Sequence, residues 1–282
     1  IRDQGGDIRT GADVARILRH EVNGSASGVQ LAGGERIMAR RNVICSVTPT
    51  QLYGRLLEGV ALPGKVTEGV RRYRYGKGNM QIHYALSAPP RWRTPGLESV
   101  ALLHLTPGLD GVSRAANEAE RGMLPAVPTI CVGQPTALDA SRAPDGRAIL
   151  WLQLPEAPRR IKGDAAGELD TPADGAWTPD LRDRYADRVQ AILAQHIEGF
   201  AGTVLQRVAY SPADLEAMNI NLVGGDPYGG SCGLDQFFLW RPLKSSVNHA
   251  TPVPGLYHIG ASTHPGPGLG GGSGYLLAKA LG

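Results

Sequence analysis

The chain has 282 residues, 42% hydrophobic and 20% charged, with Phe, Trp and Tyr together only 6%, which fits one large or two ordinary globular domains and excludes a disordered or disulfide-stapled peptide. The formal net charge is only +3 and no long block carries one sign, so composition offers no footprint for nucleic acid, and no run approaches the roughly 18 to 20 apolar residues of a membrane-spanning helix. Three cysteines without a C-x-x-C pair argue against a zinc site or a dithiol centre and for a reducing compartment, the cytoplasm.

With 38 glycines and 21 prolines the chain turns often and keeps its backbone close to something. It opens Ile1-Arg2-Asp3 with neither an initiator Met nor a signal segment, which reads as a processed chain or the later part of something longer. The first sixty residues read as short strands. Residues 13–18 are a strand, Asn23-Gly24 a tight hairpin turn and residues 28–31 the returning partner. After Gly33-Gly34, residues 36–39 and 42–46 form two more, the last apolar enough to lie buried within a sheet. Thr48-Pro49 has the cap pattern of a helix running to Leu57. The basic stretch 71–77 reads most simply as the solvent face of a strand.

In the middle, Met80, Ile82, Tyr84 and Leu86 alternate with Gln81, His83 and Ala85, which places the first four on one strand face, in the core or on the wall of a pocket. Residues 112–123 look helical, 129–132 and 148–152 look like strands, and the polar run 156–176 is expected to be a surface loop. Thr178-Pro179-Asp180 opens the clearest helix, with Leu181, Tyr185, Val189, Ile192, Leu193, His196 and Ile197 repeating at three and four residues. His196 on that face reads as a hydrogen-bonded core residue rather than a ligand. Ser211-Pro212 caps a shorter helix.

From Gly224 the composition shifts. Residues 224–233 form a long turn-rich loop, and such loops inside compact domains are usually functional. Near the end, Gly266-Pro267-Gly268-Leu269-Gly270-Gly271 satisfies G-x-G-x-x-G between a short strand and a helix. It lacks the second strand and the acidic residue about 20 positions on that a dinucleotide fingerprint needs. What survives is a strand, a glycine loop and a helix N-terminus, which bring backbone N–H groups and a positive dipole end to an anion or an electron-rich carbonyl. A flavin offers both. A tight turn packing a terminal helix is the plainer reading.

The tail from Gly255 through Leu256-Tyr257-His258-Ile259-Gly260-Ala261-Ser262-Thr263-His264-Pro265 and the following glycine run resembles the C-terminal FAD signature of the phytoene desaturase family. The nearer likeness is to the branch that contains pyridine nucleotide-disulfide oxidoreductase domain-containing protein 2. It extends over residues 135–139, 184–189, 234–237 and Arg241-Pro242, while residues 6–14 resemble the second segment of the family's FAD domain. Ser262 stands where the desaturases usually have Gly.

The resemblance implies an α/β protein of amine oxidase-like fold: a Rossmann-like FAD domain, residues 1–55 and 223–282, interrupted by a mixed-sheet substrate domain, residues 56–222. It also implies that the first strand-loop-helix with the true G-x-G-x-x-G comes from outside these residues, as a complementary N-terminal fragment or subunit. FAD is the implied cofactor, with Val14, Ser46, Gly260, Ala261, Ser262, Thr263, His264, Gly268, Leu269, Gly270, Gly271 and Gly272 as its contacts. His264 is the implied acid/base or a loop-bonding residue, and Tyr228, Asp235, Gln236 and Arg241 fall beside the family's substrate cavity, where a structural ion pair or cap explains Asp235 and Arg241 equally. The implied activity takes a hydride equivalent from a C–C or C–N bond of an apolar or amphipathic substrate, and a peripheral membrane contact is compatible with such a substrate. Alternatives are a reduced-FAD isomerase or hydratase, or a non-catalytic subunit of a split flavoenzyme. No metal is implied.

Overall fold

A computed structural model describes residues 1–247, 249–268 and 271–282. Its strands begin with β1 (Val14–Arg19), β2 (Ala26–Leu31), β3 (Arg36–Met38), β4 (Val43–Cys45), β5 (Gly78–Leu86) and β6 (Leu102–Leu105). They continue with β7 (Met123–Leu124), β8 (Ile130–Gly133), β9 (Ala148–Ala157), β10 (Gly163–Asp164), β11 (Val204–Tyr210) and β12 (Leu256–His258). The α-helices are α1 (Gly64–Arg71), α2 (Leu109–Glu120), α3 (Pro179–Ala194), α4 (Phe200–Thr203), α5 (Pro212–Met218) and α6 (Gly272–Leu281). Among the described residues no helix is long and apolar enough to cross a membrane. The chain divides into two compact units, Ile1–Gly76 with Tyr228–Gly282, and Lys77–Pro227.

In the first unit β1, β2 and β3 form an antiparallel meander. Asn23 makes its turn by accepting the Ser25 N–H at 3.0 Å, with Gly24 at φ 68°. A Cβ on Gly28 would lie 2.3 Å from the Ile37 carbonyl oxygen, so glycine lets β2 and β3 close up. β4 pairs in parallel with β12, His258 opposite Cys45. Because this sheet has two strands, β4 is not buried on both faces as expected, and Ile44 is 49% exposed. The segment after Thr48-Pro49 does wind, over Thr50–Leu56, but in the wider π pattern, with the Leu57 N–H reaching back five residues to the Leu52 carbonyl.

The basic stretch 71–77 is not a strand face. It straddles the end of α1 and the loop before β5, because Glu68 draws Arg71 and Arg72 to one side of the helix, Tyr73 is buried and Arg74 pairs with Asp235.

In the second unit five antiparallel strands run in the order β11-β5-β9-β8-β6. Met80, Ile82, Tyr84 and Leu86 face the core at 0–1% exposure, opposite Leu150, Leu152 and Leu154 of β9. Leu181, Tyr185, Val189 and Leu193 of α3 belong to the same core, and each such side chain stabilises the fold by about 2 kcal/mol. Thr178 caps α3 by accepting the Leu181 N–H at 3.2 Å, and Ser211 and Asp214 form a reciprocal capping box on α5.

Three expectations are corrected here, the first two only in part, for long-range reasons. α2 runs Leu109–Glu120, and Met123 leaves it to pair β7 with β10. The polar run 156–176 is not only surface loop. β10 lies within it, and the Asp164 side chain, 1% exposed, takes both Arg188 guanidinium nitrogens of α3 at 2.6 and 2.7 Å. Burial alone would raise the Asp164 carboxyl; Arg188 and the amide N–H groups of Glu168 and Leu169 outweigh it and hold the group below its ordinary value. His196 is exposed, because α3 ends at Ala194 and the chain turns before it; Ile197 enters the core instead.

Candidate functional site

In β12 the period of two turns Leu256 and His258 inward, both at 2% exposure or less. The ladder with β4 continues through the Ile259 N–H to the Cys45 carbonyl at 2.9 Å. At Gly260, φ 97°, the Cβ direction points to within 3.5 Å of the Ser46 carbonyl oxygen, so the two strand ends lie side by side. The Gly260 N–H donates to Ser273 Oγ at 2.8 Å, which ties the loop to the first turn of α6. Its carbonyl accepts the Thr263 N–H at 3.0 Å and the Thr263 Oγ1–H at 2.9 Å, and Ser262 Oγ donates to the Gly229 carbonyl at 2.7 Å. Two of the loop's N–H groups expected to meet a ligand, those of Gly260 and Thr263, are thus used internally.

α6 starts after Gly271, whose φ is 61° and whose Cβ direction is open space, as is that of Gly268; no side chain caps the helix. The first-turn N–H groups of a helix have no carbonyl of their own, so this start offers donors and a positive dipole end, with no side chain of the described residues in the way. Such a cradle fits the phosphate or carbonyl edge of a flavin dinucleotide. Leu269 and Gly270, also expected as contacts, lie outside the described residues. Val14, at the start of β1, is half-buried, and its carbonyl accepts Arg55 Nη1 at 3.0 Å.

The titratable side chains at the strand ends beneath this loop are held neutral. His258 Nε2 donates to the Val47 carbonyl at 2.6 Å, so the unprotonated Nδ1 is left buried without a partner among the described residues, and burial pushes the imidazole down to about 4. Burial likewise pushes the Cys45 thiol up to about 11 and the Tyr53 hydroxyl up to about 12. A thiol so placed stays protonated and is no nucleophile. Among the described residues Cys45, Cys131 and Cys232 form no disulfide.

Arg241, 2% exposed, clamps two loops. Its Nη1 donates to the Tyr228 carbonyl at 2.9 Å and to the Ala261 carbonyl, and its Nη2 to the Gly230 carbonyl and, at 3.2 Å, to that of Ser231. The guanidinium also lies over the Phe237 ring, 5.3 Å from its centroid. Tyr73 OH donates to the Gly229 carbonyl at 2.7 Å, so the 228–231 loop is fixed from two sides. The Tyr228 ring is 41% exposed.

Asp235 forms an exposed ion pair with Arg74 at 2.7 Å, and that hydrogen bond holds its carboxyl below the ordinary range. Gln236 accepts the Arg74 N–H at 2.9 Å and donates to the Arg74 carbonyl at 2.7 Å. Both line a cavity of about 680 Å³ with Arg72, Trp240 and Lys244. Arg241 and His264 line a different one, of about 460 Å³. His264 Nδ1 donates to the Phe238 carbonyl at 3.3 Å, its ring edge-on to that of Phe238 at 4.8 Å.

The structure therefore brings Ser46 and Gly260 together, and Arg241 with the 228–231 and 261 loops, but places Asp235 and Gln236 in a separate group. Sequence reasoning missed His258, Tyr73, Ser273 and His249. The alternation in Leu256-Tyr257-His258 carried a signal for His258; Tyr73 depends on Gly229, distant in sequence, while Ser273 and His249 meet Gly260 and His258 through loop turns that leave no periodic trace.

No family model matches the chain. It is 28% identical to pyridine nucleotide-disulfide oxidoreductase domain-containing protein 2 of Rattus norvegicus, over 98% of this chain and 47% of that protein. It is 29% identical to the zeta-carotene-forming phytoene desaturase of Myxococcus xanthus, over 95% and 46%. The chain spans about half the length of the curated relatives it matches. A triple mutant of putrescine oxidase superposes with a TM-score of 0.57 at 18% identity, covering 99% of this chain and 50% of that one; at this identity the likeness shows the fold alone. The resemblance read from the tail holds: over nearly its whole length the chain is similar to this oxidoreductase domain protein and to phytoene desaturases, and its mixed α/β fold is the one seen in the putrescine oxidase structure.

Proposed function

We propose that residues 1–282 form the C-terminal part of an FAD-dependent oxidoreductase of dehydrogenase or desaturase type, which takes a hydride equivalent from a C–C or C–N bond of an apolar or amphipathic molecule. The observation that carries this reading is the loop Gly260 to Thr263, stitched to β4 and to Ser273 and followed by the uncapped, glycine-flanked start of α6. In this reading the first unit holds FAD through the main chain of Ala261, Ser262, Gly271 and Gly272, with Gly260, Thr263, Val14 and Ser46 alongside, and the second unit serves the substrate. A first strand-loop-helix carrying G-x-G-x-x-G is supplied from outside residues 1–282, in the same polypeptide or another. When bound, FAD supplies the two-electron acceptor. The chain's own part is to keep the strand ends uncharged, through neutral His258 and protonated Cys45, and to fix the loop that Arg241 clamps.

Two results test this. In the complete protein Gly271→Val, which fills the open Cβ direction at positive φ, abolishes flavin retention while the second unit stays folded; normal flavin content overturns the assignment. Anaerobic addition of substrate bleaches the oxidised flavin; turnover with an unchanged spectrum instead assigns the chain to isomerisation or hydration.

A further inference from the structure

His249 and His264 line the same cavity of about 460 Å³ in the first unit, together with Arg241 and Ser246. Each imidazole is tethered alike. His249 Nδ1 lies 3.2 Å from the His258 carbonyl and His264 Nδ1 3.3 Å from the Phe238 carbonyl. A carbonyl can only accept, so Nδ1 carries the proton in both rings, and Nε2 is the nitrogen left for a ligand. Among the described residues, the only non-glycine positions with positive φ are His249 (63°) and Phe238 (52°). One lines the cavity and the other holds its second histidine. Backbone strain of this kind costs about 1–3 kcal/mol and persists where a site over-determines the chain.

The chemistry of the wall selects the occupant. Arg241 brings a permanent positive charge, two imidazoles become N–H donors at both nitrogens when protonated, and Ser246 brings a hydroxyl. Among the described residues no acidic side chain lines the cavity, and the rest of the wall is apolar, including Val247 and Leu276. An ammonium would meet only like charge here. We propose that this cavity is a subsite for the carboxylate head of an amphipathic molecule, with Nε2 of His249 and of His264 as its donors and the apolar wall against its tail. Calling that molecule the substrate rests on the flavoenzyme reading; the subsite itself does not, and its test measures binding without turnover.

The groups that face His249 are Arg241, His264 from the loop before α6, and His258 of β12, which meets its main chain; α6 contributes only Leu276 and Ala280 to the wall. Burial, and then the His264 charge, hold His249 below the ordinary imidazole value. An anion reverses that balance, so binding takes up a proton and tightens as pH falls.

The probes are octanoate and its uncharged counterpart octan-1-ol, titrated into the complete protein, including the segment that carries G-x-G-x-x-G, with nitrogen-labelled histidine followed by NMR. Octanoate is expected to shift the Nε2 signals of His249 and His264, to raise the His249 titration midpoint and to bind about tenfold or more tighter than octan-1-ol. His249→Gln should weaken octanoate about tenfold. Val247→Glu, at an exposed wall position, should repel octanoate and leave octan-1-ol unchanged. Equal binding of the two probes, or octanoate binding that leaves both histidine signals in place, overturns the proposal.

Discussion

Replacing Arg241 with Met should unfasten the 228–231 and 261 loops without touching the second unit. Four main-chain carbonyls accept from this one guanidinium, which is 2% exposed. Hydrogen bonds to a charged group contribute about 1.5–3 kcal/mol each, but desolvating the guanidinium costs several kcal/mol, and Nε has no partner among the described residues. The measured loss is therefore set by the carbonyls left unpaired, at about 1–3 kcal/mol each before the loops relax toward water. A total near 4 kcal/mol follows, in the range for breaking a buried charged network. With a urea dependence of about 2 kcal/mol per molar, the midpoint of the first unit drops by about 2 M, and amide exchange accelerates at 228–231 and 261–263. Arg241→Lys should recover less than half, because an ammonium cannot span the fork of acceptors. A midpoint shift below about 0.5 M, or full rescue by Lys, would refute the clamp.

His258 makes the first unit sensitive to acid. Its folded value of about 4 lies below the roughly 6.5 of an unfolded imidazole, so the unfolded state binds more protons in between. Stability is intact above pH about 6.5 and declines by about 3 kcal/mol as pH falls to about 4; His258→Gln should flatten that limb in denaturant titrations, and an unchanged slope would count against it. Among the described residues no disulfide forms, and Cys45 is held protonated by burial, so a variant with Ser at 45, 131 and 232 should fold and, in the complete enzyme, keep its turnover. Loss of turnover with the fold intact would mean that a thiol takes part.

Local signals in the sequence were reliable where the partner is near. The alternation from Met80 to Leu86, the Asn23-Gly24 turn and the caps at Thr178 and Ser211 all carry their cause within a few residues, and the structure has each of them. What failed is set at a distance. Asp164 looked like loop composition until Arg188, on another element, buried it, and the 71–77 run took its shape from Glu68, Gly229 and Asp235 rather than from its own pattern. The glycine-rich tail announced a close approach of backbone to something. The stitching of Gly260 to Ser273 and the role of Arg241 as a four-carbonyl clamp were not legible, since neither leaves a periodic trace.

The central claim is that FAD is held by the main chain of the loop after β12 and the start of α6, and amide hydrogen exchange with and without FAD measures it most directly. The preparation should contain the segment that carries G-x-G-x-x-G. Because the Gly260 and Thr263 N–H groups are already bonded internally, new protection is predicted at Ala261, Ser262 and residues 272–274, with little change in β5, β8 or β9. Bound FAD with unchanged exchange at those five amides would contradict the account and place the cofactor elsewhere.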